Sequence, residues 1–317
     1  MDIVERLRAG DERALAQAIT LVERKAPASR EILRRAWPST GRALVVGVTG
    51  FPGGGKSSLV DRLTAHYRAA GKTVGILAVD PSSAFSGGAI LGDRVRMQRH
   101  TADPGVFIRS MATRGALGGL SKAAMDAVDL IDASGRDVIL LETVGVGQDE
   151  IDVVRVADCV LVVLVPGLGD EIQAIKAGIL EIADVFVINK ADHAGADRLH
   201  ADLETMLGMA HESGVETPAP EIVRTVAIRD EGTEALAIEI ERKIAAQPGG
   251  TGRRLRQQSV LRFLEMLGDG LLERARAECL ADAELDRIAG DIARRRTDPW
   301  TEVDQILSRV QFRRGEG

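Results

Sequence analysis

Two short segments carry residue types at spacings that do chemistry. In Gly50-Phe51-Pro52-Gly53-Gly54-Gly55-Lys56-Ser57 the order is G-x-x-x-x-G-K-[ST]. Gly53, Gly54 and Gly55 let backbone N–H groups turn inward and cradle phosphates at a helix N-terminus. Lys56 reaches the β- and γ-phosphates of a nucleoside triphosphate, and the Ser57 hydroxyl is placed to ligate Mg²⁺. The second segment is Asn189-Lys190-Ala191-Asp192. A carboxylate at Asp192 accepts hydrogen bonds from guanine N1–H and the 2-amino group. Adenine has no matching donors there, so the segment discriminates between the bases. The pair predicts binding of GTP or GDP with Mg²⁺. Thr225-Val226-Ala227 adds candidate backbone contacts to the base at Val226 and Ala227, with a plain strand end as the other reading.

Three acidic residues could serve the metal: Asp80, Asp93 and Glu142. Mg²⁺ takes few direct carboxylates and keeps several waters, so not all three are direct ligands. Glu142 stands where a Walker-B acid is expected, and Gly145 where an N–H can sense the γ-phosphate. Gln148 could orient the attacking water. On spacing alone Asp170 is an ordinary helix N-cap and Lys176 a solvated helix charge. His66, His100, His193, His200 and His211 form no ligand set with Cys159 or Cys279, and Trp300 reads as a packing anchor.

The elements that position these groups follow from apolar periodicity. Short, largely β-branched runs at 43–48, 74–79, 138–141, 160–165, 185–188 and 222–226 suit strands covered on both faces. Helical stretches lie between them, including one over 59–70. That alternation predicts a parallel α/β sheet with right-handed crossovers. Before it, Asp11 caps a helix in which Leu15, Ala18, Ile19 and Val22 make one stripe. After it, Gln247-Pro248-Gly249-Gly250-Thr251-Gly252 reads as a linker. Beyond the linker Val260, Leu264, Leu267 and Leu271 share one helix face, and Leu285, Ile288 and Ile292 another. Asp298-Pro299 starts a last short helix. The domain expectation is therefore 1–40 as an N-terminal helical extension, 41–247 as the nucleotide-binding domain and 253–317 as a C-terminal helical region.

The chain has 317 residues and a net charge of −6. An acidic chain without a basic tract argues against nucleic-acid or membrane-surface binding. The charged N-terminal segment and the short apolar runs predict neither a secretory signal nor a membrane span, and isolated cysteines predict no disulfide framework. The expected compartment is the cytoplasm.

The order and wording of several segments resemble the MeaB/ArgK family of P-loop GTPases, chaperones of adenosylcobalamin-dependent acyl-CoA mutases. The matching stretches are Gly10-Asp11-Glu12-Arg13-Ala14-Leu15-Ala16, the P-loop, Leu77 to Ser83, Gly87 to Arg94, Glu142 to Gln148, Gly169 to Gly178 and Asn189 to Asp192. They run from about residue 10 to 230. The resemblance implies a SIMIBI-type P-loop NTPase fold in which an Asp ends the second strand, as Asp80 does. It implies that Ser57, Asp80, Asp93 and Glu142 surround Mg²⁺ directly or through water. Residues near 81–96 and 142–155 become two switches, and 167–176 a third that touches the mutase, with Asp170 and Lys176 coupling partner binding to hydrolysis. The family also implies a homodimer through a C-terminal helical arm, and a cobalamin adenosyltransferase as a further partner. Gly54 and the Ser57-Ser58 pair depart from the commoner Ala/Val and Ser-Thr, though Ser58 keeps a hydroxyl for phosphate contact.

The function so implied is GTP hydrolysis to GDP and phosphate, gating adenosylcobalamin loading and protection of the mutase. A P-loop kinase passing the γ-phosphate to a small-molecule or protein acceptor is the alternative, in which Asn189–Asp192 has no clear purpose. A nickel-type metal-insertion GTPase requires Cys/His clusters that the sequence lacks.

Overall fold

A computed structural model describes residues 1–80, 98–100, 102–112, 122–143, 156–167, 182–212, 220–246 and 252–309. Seven parallel strands form one sheet: β1 Leu44–Gly50, β2 Val74–Asp80, β3 Val106–Ala112, β4 Val138–Thr143, β5 Cys159–Leu164, β6 Val185–Ile188 and β7 Glu221–Arg224. Their order is β3-β2-β4-β1-β5-β6-β7. The central strand β1 pairs with β4 (Val46 opposite Leu140) and with β5 (Val48 opposite Leu161). Parallel strands need crossovers of a dozen residues or more. Among the described residues the helices Lys56–Ala69, Lys122–Ala133 and Ala196–Glu212 supply those after β1, β3 and β6.

Period-2 alternation sorts the strand side chains into two cores. Ile139 and Leu141 of β4, with Val160 and Val162 of β5, face one side. Val138 and Leu140, with Leu161 and Val163, face the other. The first side is covered by α1 Ile3–Arg8, α2 Glu12–Glu23, α3 Ser29–Ala36, α5 Lys122–Ala133 and α6 Ala196–Glu212. The second is covered by α4 Lys56–Ala69 and α7 Thr233–Ala245. Both faces are therefore dry, which explains why the strands read as uninterrupted apolar runs.

The N-terminal helices are held to the sheet by more than their apolar stripe. Asp11 caps α2, accepting from Arg13 N at 2.9 Å, and Leu15, Ala18, Ile19 and Val22 are buried. Arg136 donates to Glu12 at 2.8 Å, and Arg109 on β3 pairs with Glu23. Asp132 at the end of α5 accepts the Ala43 amide at 2.9 Å and also those of Gly41 and Arg42. The chain is thereby fixed just before it enters β1. By contact the chain divides into two compact units, Met1–Thr251 and Gly252–Gly317, so α1–α3 share a unit with the sheet.

The strand β3 has no counterpart among the expected runs. It lies at the sheet edge, where Arg109 and Ser110 interrupt the apolar pattern that a two-sided strand would keep. The helix α4 begins three residues earlier than the expected one. Its far end is fixed by Arg68, whose guanidinium donates to both oxygens of Asp103 at 2.8 and 2.9 Å. That bidentate hydrogen bond, helped by the Gly105 amide, holds the Asp103 carboxyl at about 2.

The second unit contains α8 Gly252–Cys279, α9 Asp282–Ala293 and α10 Pro299–Arg309. Asp298 caps α10 through Thr301 N at 2.9 Å. Ile288 is buried, whereas Val260, Leu264, Leu267 and Leu271 of α8 are exposed. Trp300, read as a packing anchor, is instead 77 % exposed. Position N2 of a short helix can point outward as readily as inward, and among the described residues nothing covers the ring.

Candidate functional site

The site is built at the C-terminal ends of β1, β4 and β6, where open α/β sheets bind ligands. The strand β1 feeds the Gly-rich loop through Gly50, at φ +127°. A Cβ there would lie 2.2 Å from the Val163 carbonyl oxygen, so only glycine lets the loop leave the sheet beside β5. Gly55 is left-handed, at φ +84°, and a Cβ on it would lie 2.3 Å from Asn189 Nδ2. Among the described residues no side chain caps the N-terminus of α4. The loop thus ends at a helix start shaped to receive an anion, where amide dipoles point at the ligand.

Lys56 is buried, with its ammonium turned back over the loop. Nζ donates to Gly50 O at 2.7 Å and to Phe51 O at 2.9 Å. Those carbonyls hold the charge at the mouth of the loop. Gly53 and Gly54 line the loop, and Ser57 and Ser58 open the first turn of α4.

Ser57 Oγ donates to Glu142 Oε1 at 2.6 Å. Glu142 is buried near the end of β4, whose last residue Thr143 is hydrogen-bonded to Thr49 of β1 at 2.9 Å. This cross-link keeps Glu142 level with the loop. Asp80 ends β2, opposite Ala112 of β3. One hydroxyl beside one buried carboxylate is a hard-oxygen donor set of the kind Mg²⁺ selects, so the residues present fit that ion. The side chain of Asp80, and Asp93, Gly145, Gln148, Asp170 and Lys176 altogether, lie outside the described residues.

The Asn189–Asp192 segment closes the other side of the loop. Asn189 is buried and ties three pieces together. Its Nδ2 donates to Gly54 O at 2.9 Å. Its Oδ1 accepts from Thr225 Oγ1 at 3.2 Å and from Ala227 N at 3.1 Å. The phosphate loop and the 225–227 loop are therefore locked to the end of β6 through one side chain. Lys190, in a left-handed conformation at φ 55°, reaches Gly53 O through Nζ at 3.0 Å. Asp192 lies at the rim, with Oδ2 accepting from Arg229 at 2.8 Å. Arg62 of α4 donates to Ala227 O at 2.9 Å and to Ile228 O at 3.3 Å. Val226 and Ala227 are buried.

Arg62 and Arg229 are absent from the sequence-derived site. No local signal marks them, because each partner is distant along the chain. Among the described residues no helix is long and apolar enough to cross a membrane.

Residues 15–279 match the family described as Methylmalonyl Co-A mutase-associated GTPase MeaB. A protein of Pyrococcus abyssi whose name carries the word GTPase is 45% identical over 311 residues, covering 98% of this chain and 96% of its own. The GTPase ArgK of Escherichia coli is 37% identical over 270 residues, covering 82% and 81%. The crystal structure of a LAO/AO transport system kinase superposes with a TM-score of 0.69 at 27% identity, covering 96% of this chain and 95% of that one. The fold is that of the P-loop GTPases, and the chain is a GTP hydrolase. It belongs to the MeaB family of methylmalonyl-CoA mutase-associated GTPases.

Proposed function

We propose that this GTPase is a nucleotide-timed chaperone of an adenosylcobalamin-dependent acyl-CoA mutase, gating cofactor loading and the protection or reactivation of the loaded enzyme. The observation that carries the mutase assignment is family membership across residues 15–279. The local geometry of the described residues supports a nucleotide site. A phosphate loop, a hydroxyl–carboxylate pair and a guanine-reading segment converge at one end of the sheet.

In this reading the γ-phosphate lies against the loop amides and Lys56, which neutralise charge on the β–γ bridge. Ser57 and Glu142 would hold Mg²⁺, with Asp80 and Asp93 completing its surroundings directly or through water. When bound, the ion would supply charge stabilisation to the phosphates. Asp192 reads the guanine edge, while Asn189 and Lys190 keep the base and phosphate halves in register. Gly145 senses the γ-phosphate, and Gln148 orients water. Asp170 and Lys176 carry the state of the site to the mutase. A segment held by γ-phosphate and released on hydrolysis converts chemistry into a partner signal.

The exposed face of α8 formed by Val260, Leu264, Leu267 and Leu271 supports a homodimer through the C-terminal unit. The domain division proposed is 1–40, 41–247 and 253–317, and the compartment the cytoplasm. A cobalamin adenosyltransferase is the proposed source of the cofactor.

Phosphate release from GTP tests the reading. The protein alone should turn over slowly, and a purified adenosylcobalamin-dependent acyl-CoA mutase should accelerate it. Labelled γ-phosphate should appear as inorganic phosphate. Its appearance on an acceptor would identify a kinase instead, and failure of every such mutase to stimulate release would remove the chaperone assignment.

A further inference from the structure

The Asp192 carboxylate has a partner outside the Asn189–Asp192 segment. Arg229 donates to Asp192 Oδ2 at 2.8 Å, and its other terminal nitrogen lies 4.0 Å from Glu231. The turn that carries it is tightly closed. Val226 N donates to Glu231 O at 2.9 Å, Arg229 N donates to Val226 O at 2.9 Å, and Asp230 is left-handed at φ 61°. Two further bonds fasten the turn to the rest of the site. Asn189 Oδ1 takes the Ala227 amide from one side, and Arg62 takes the Ala227 and Ile228 carbonyls from the other. Arg62 stands six residues into α4, the helix that starts at Lys56. The Arg229 side chain is therefore launched from a backbone fixed by both the phosphate half and the base half of the site.

We propose that Arg229 is a positioning residue for base recognition, holding the Asp192 carboxylate in the orientation that accepts guanine. The inference rests on the reading that Asp192 contacts the base. An ionised carboxylate offers about four lone-pair positions. Arg229 occupies one of them on Oδ2 and leaves the positions needed by the N1–H and 2-amino donors. A side chain already held in one rotamer need not be ordered when the base arrives, which raises affinity without touching the ligand. Both donors of guanine depend on both oxygens being correctly aimed. Hypoxanthine has only the N1–H. Misaiming the carboxylate therefore weakens guanine more than hypoxanthine.

The test measures affinities for GDP and IDP by displacement of a fluorescent GDP analogue. The proteins are the full chain, Arg229→Ala, Arg229→Gln, Asp192→Ala and the Arg229→Ala/Asp192→Ala pair, each checked by thermal melting. Arg229→Ala and Arg229→Gln should weaken GDP about three- to tenfold, the range of a partly exposed charge-assisted bond. They should lower the GDP:IDP preference, and Arg229→Ala should have no further effect once Asp192 is Ala. Unchanged or tighter GDP binding would overturn the proposal, tighter binding showing that Arg229 competes with the base. Equal loss for GDP and IDP, persisting in the Asp192→Ala background, would make Arg229 merely structural and also overturn it. If Asp192→Ala itself changed neither GDP affinity nor the GDP:IDP preference, the base-reading assignment would fall as well.

Discussion

Replacing Asn189 by Ala should damage folding and nucleotide binding together. The side chain is 2% exposed and makes three hydrogen bonds, to Gly54 O, Thr225 Oγ1 and Ala227 N. Each is worth about 1 kcal/mol net, and a buried group left without a partner costs about 1–3 kcal/mol. Water entering the space left by the amide would satisfy part of this, so the expected loss is about 3 kcal/mol. For a unit of this size that corresponds to a fall in melting temperature of about 6–12 °C. Thr225→Val removes a single one of the three bonds without changing shape and should cost only about 1 kcal/mol. Because Asn189 also sets the phosphate loop against the base loop, Asn189→Ala should weaken GDP binding well beyond the effect of Thr225→Val. The assays are thermal or urea unfolding of the nucleotide-free protein and GDP titration of the same samples. A melting temperature and a GDP affinity both unchanged in Asn189→Ala would show that the three bonds do not organise the site.

Four other outcomes follow from named contacts. Lys56→Ala should lower GTP hydrolysis by at least about a hundredfold while leaving the fold intact by circular dichroism, since its ammonium is held at the mouth of the phosphate loop. Gly55→Ala combines a φ of +84° with a Cβ 2.3 Å from Asn189 Nδ2, so GDP binding by calorimetry should be lost or severely weakened. Glu142→Gln should raise the Mg²⁺ concentration needed for half-maximal hydrolysis, because Ser57 would face an amide instead of a carboxylate. The Asp103 carboxyl sits at about 2 in the folded protein, below its unfolded value of 3.8. Its contribution to stability is therefore complete above about pH 4 and is lost as pH falls toward 2, so acid unfolding of Asp103→Asn should depend less steeply on pH across that window.

The legible parts of this protein are those whose physics is local. The phosphate loop is readable because Gly50, Gly53 and Gly55 all adopt positive φ within six residues, and Lys56 and Ser57 follow at once. Asn189–Asp192 is readable because it directly follows a four-residue buried strand. The strand β3 escapes detection because it is an edge strand carrying Arg109 and Ser110 among its apolar residues. The use of Arg109 is equally nonlocal: it pairs with Glu23, 86 residues earlier. Arg62 and the loop carbonyl it holds are 165 residues apart, and Arg229 and Asp192 are 37 apart. No periodicity or motif encodes such pairings; only the folded sheet brings them together. Trp300 shows the converse, since a large aromatic beside a helix start suggests burial, and here the ring faces outward.

Nucleotide binding has a purpose for a chaperone only if the partner distinguishes the two nucleotide states. A ligand bound equally well by both states shifts nothing, and coupling between two sites is reciprocal. The decisive measurement is the affinity of the protein for an adenosylcobalamin-dependent acyl-CoA mutase, determined by calorimetry with GDP and with a non-hydrolysable GTP analogue. The account predicts affinities that differ several-fold between the two nucleotides, with the mutase shifting the protein's own preference between analogue and GDP by the same factor. Equal mutase affinity in both states, with no shift in nucleotide preference, would contradict it.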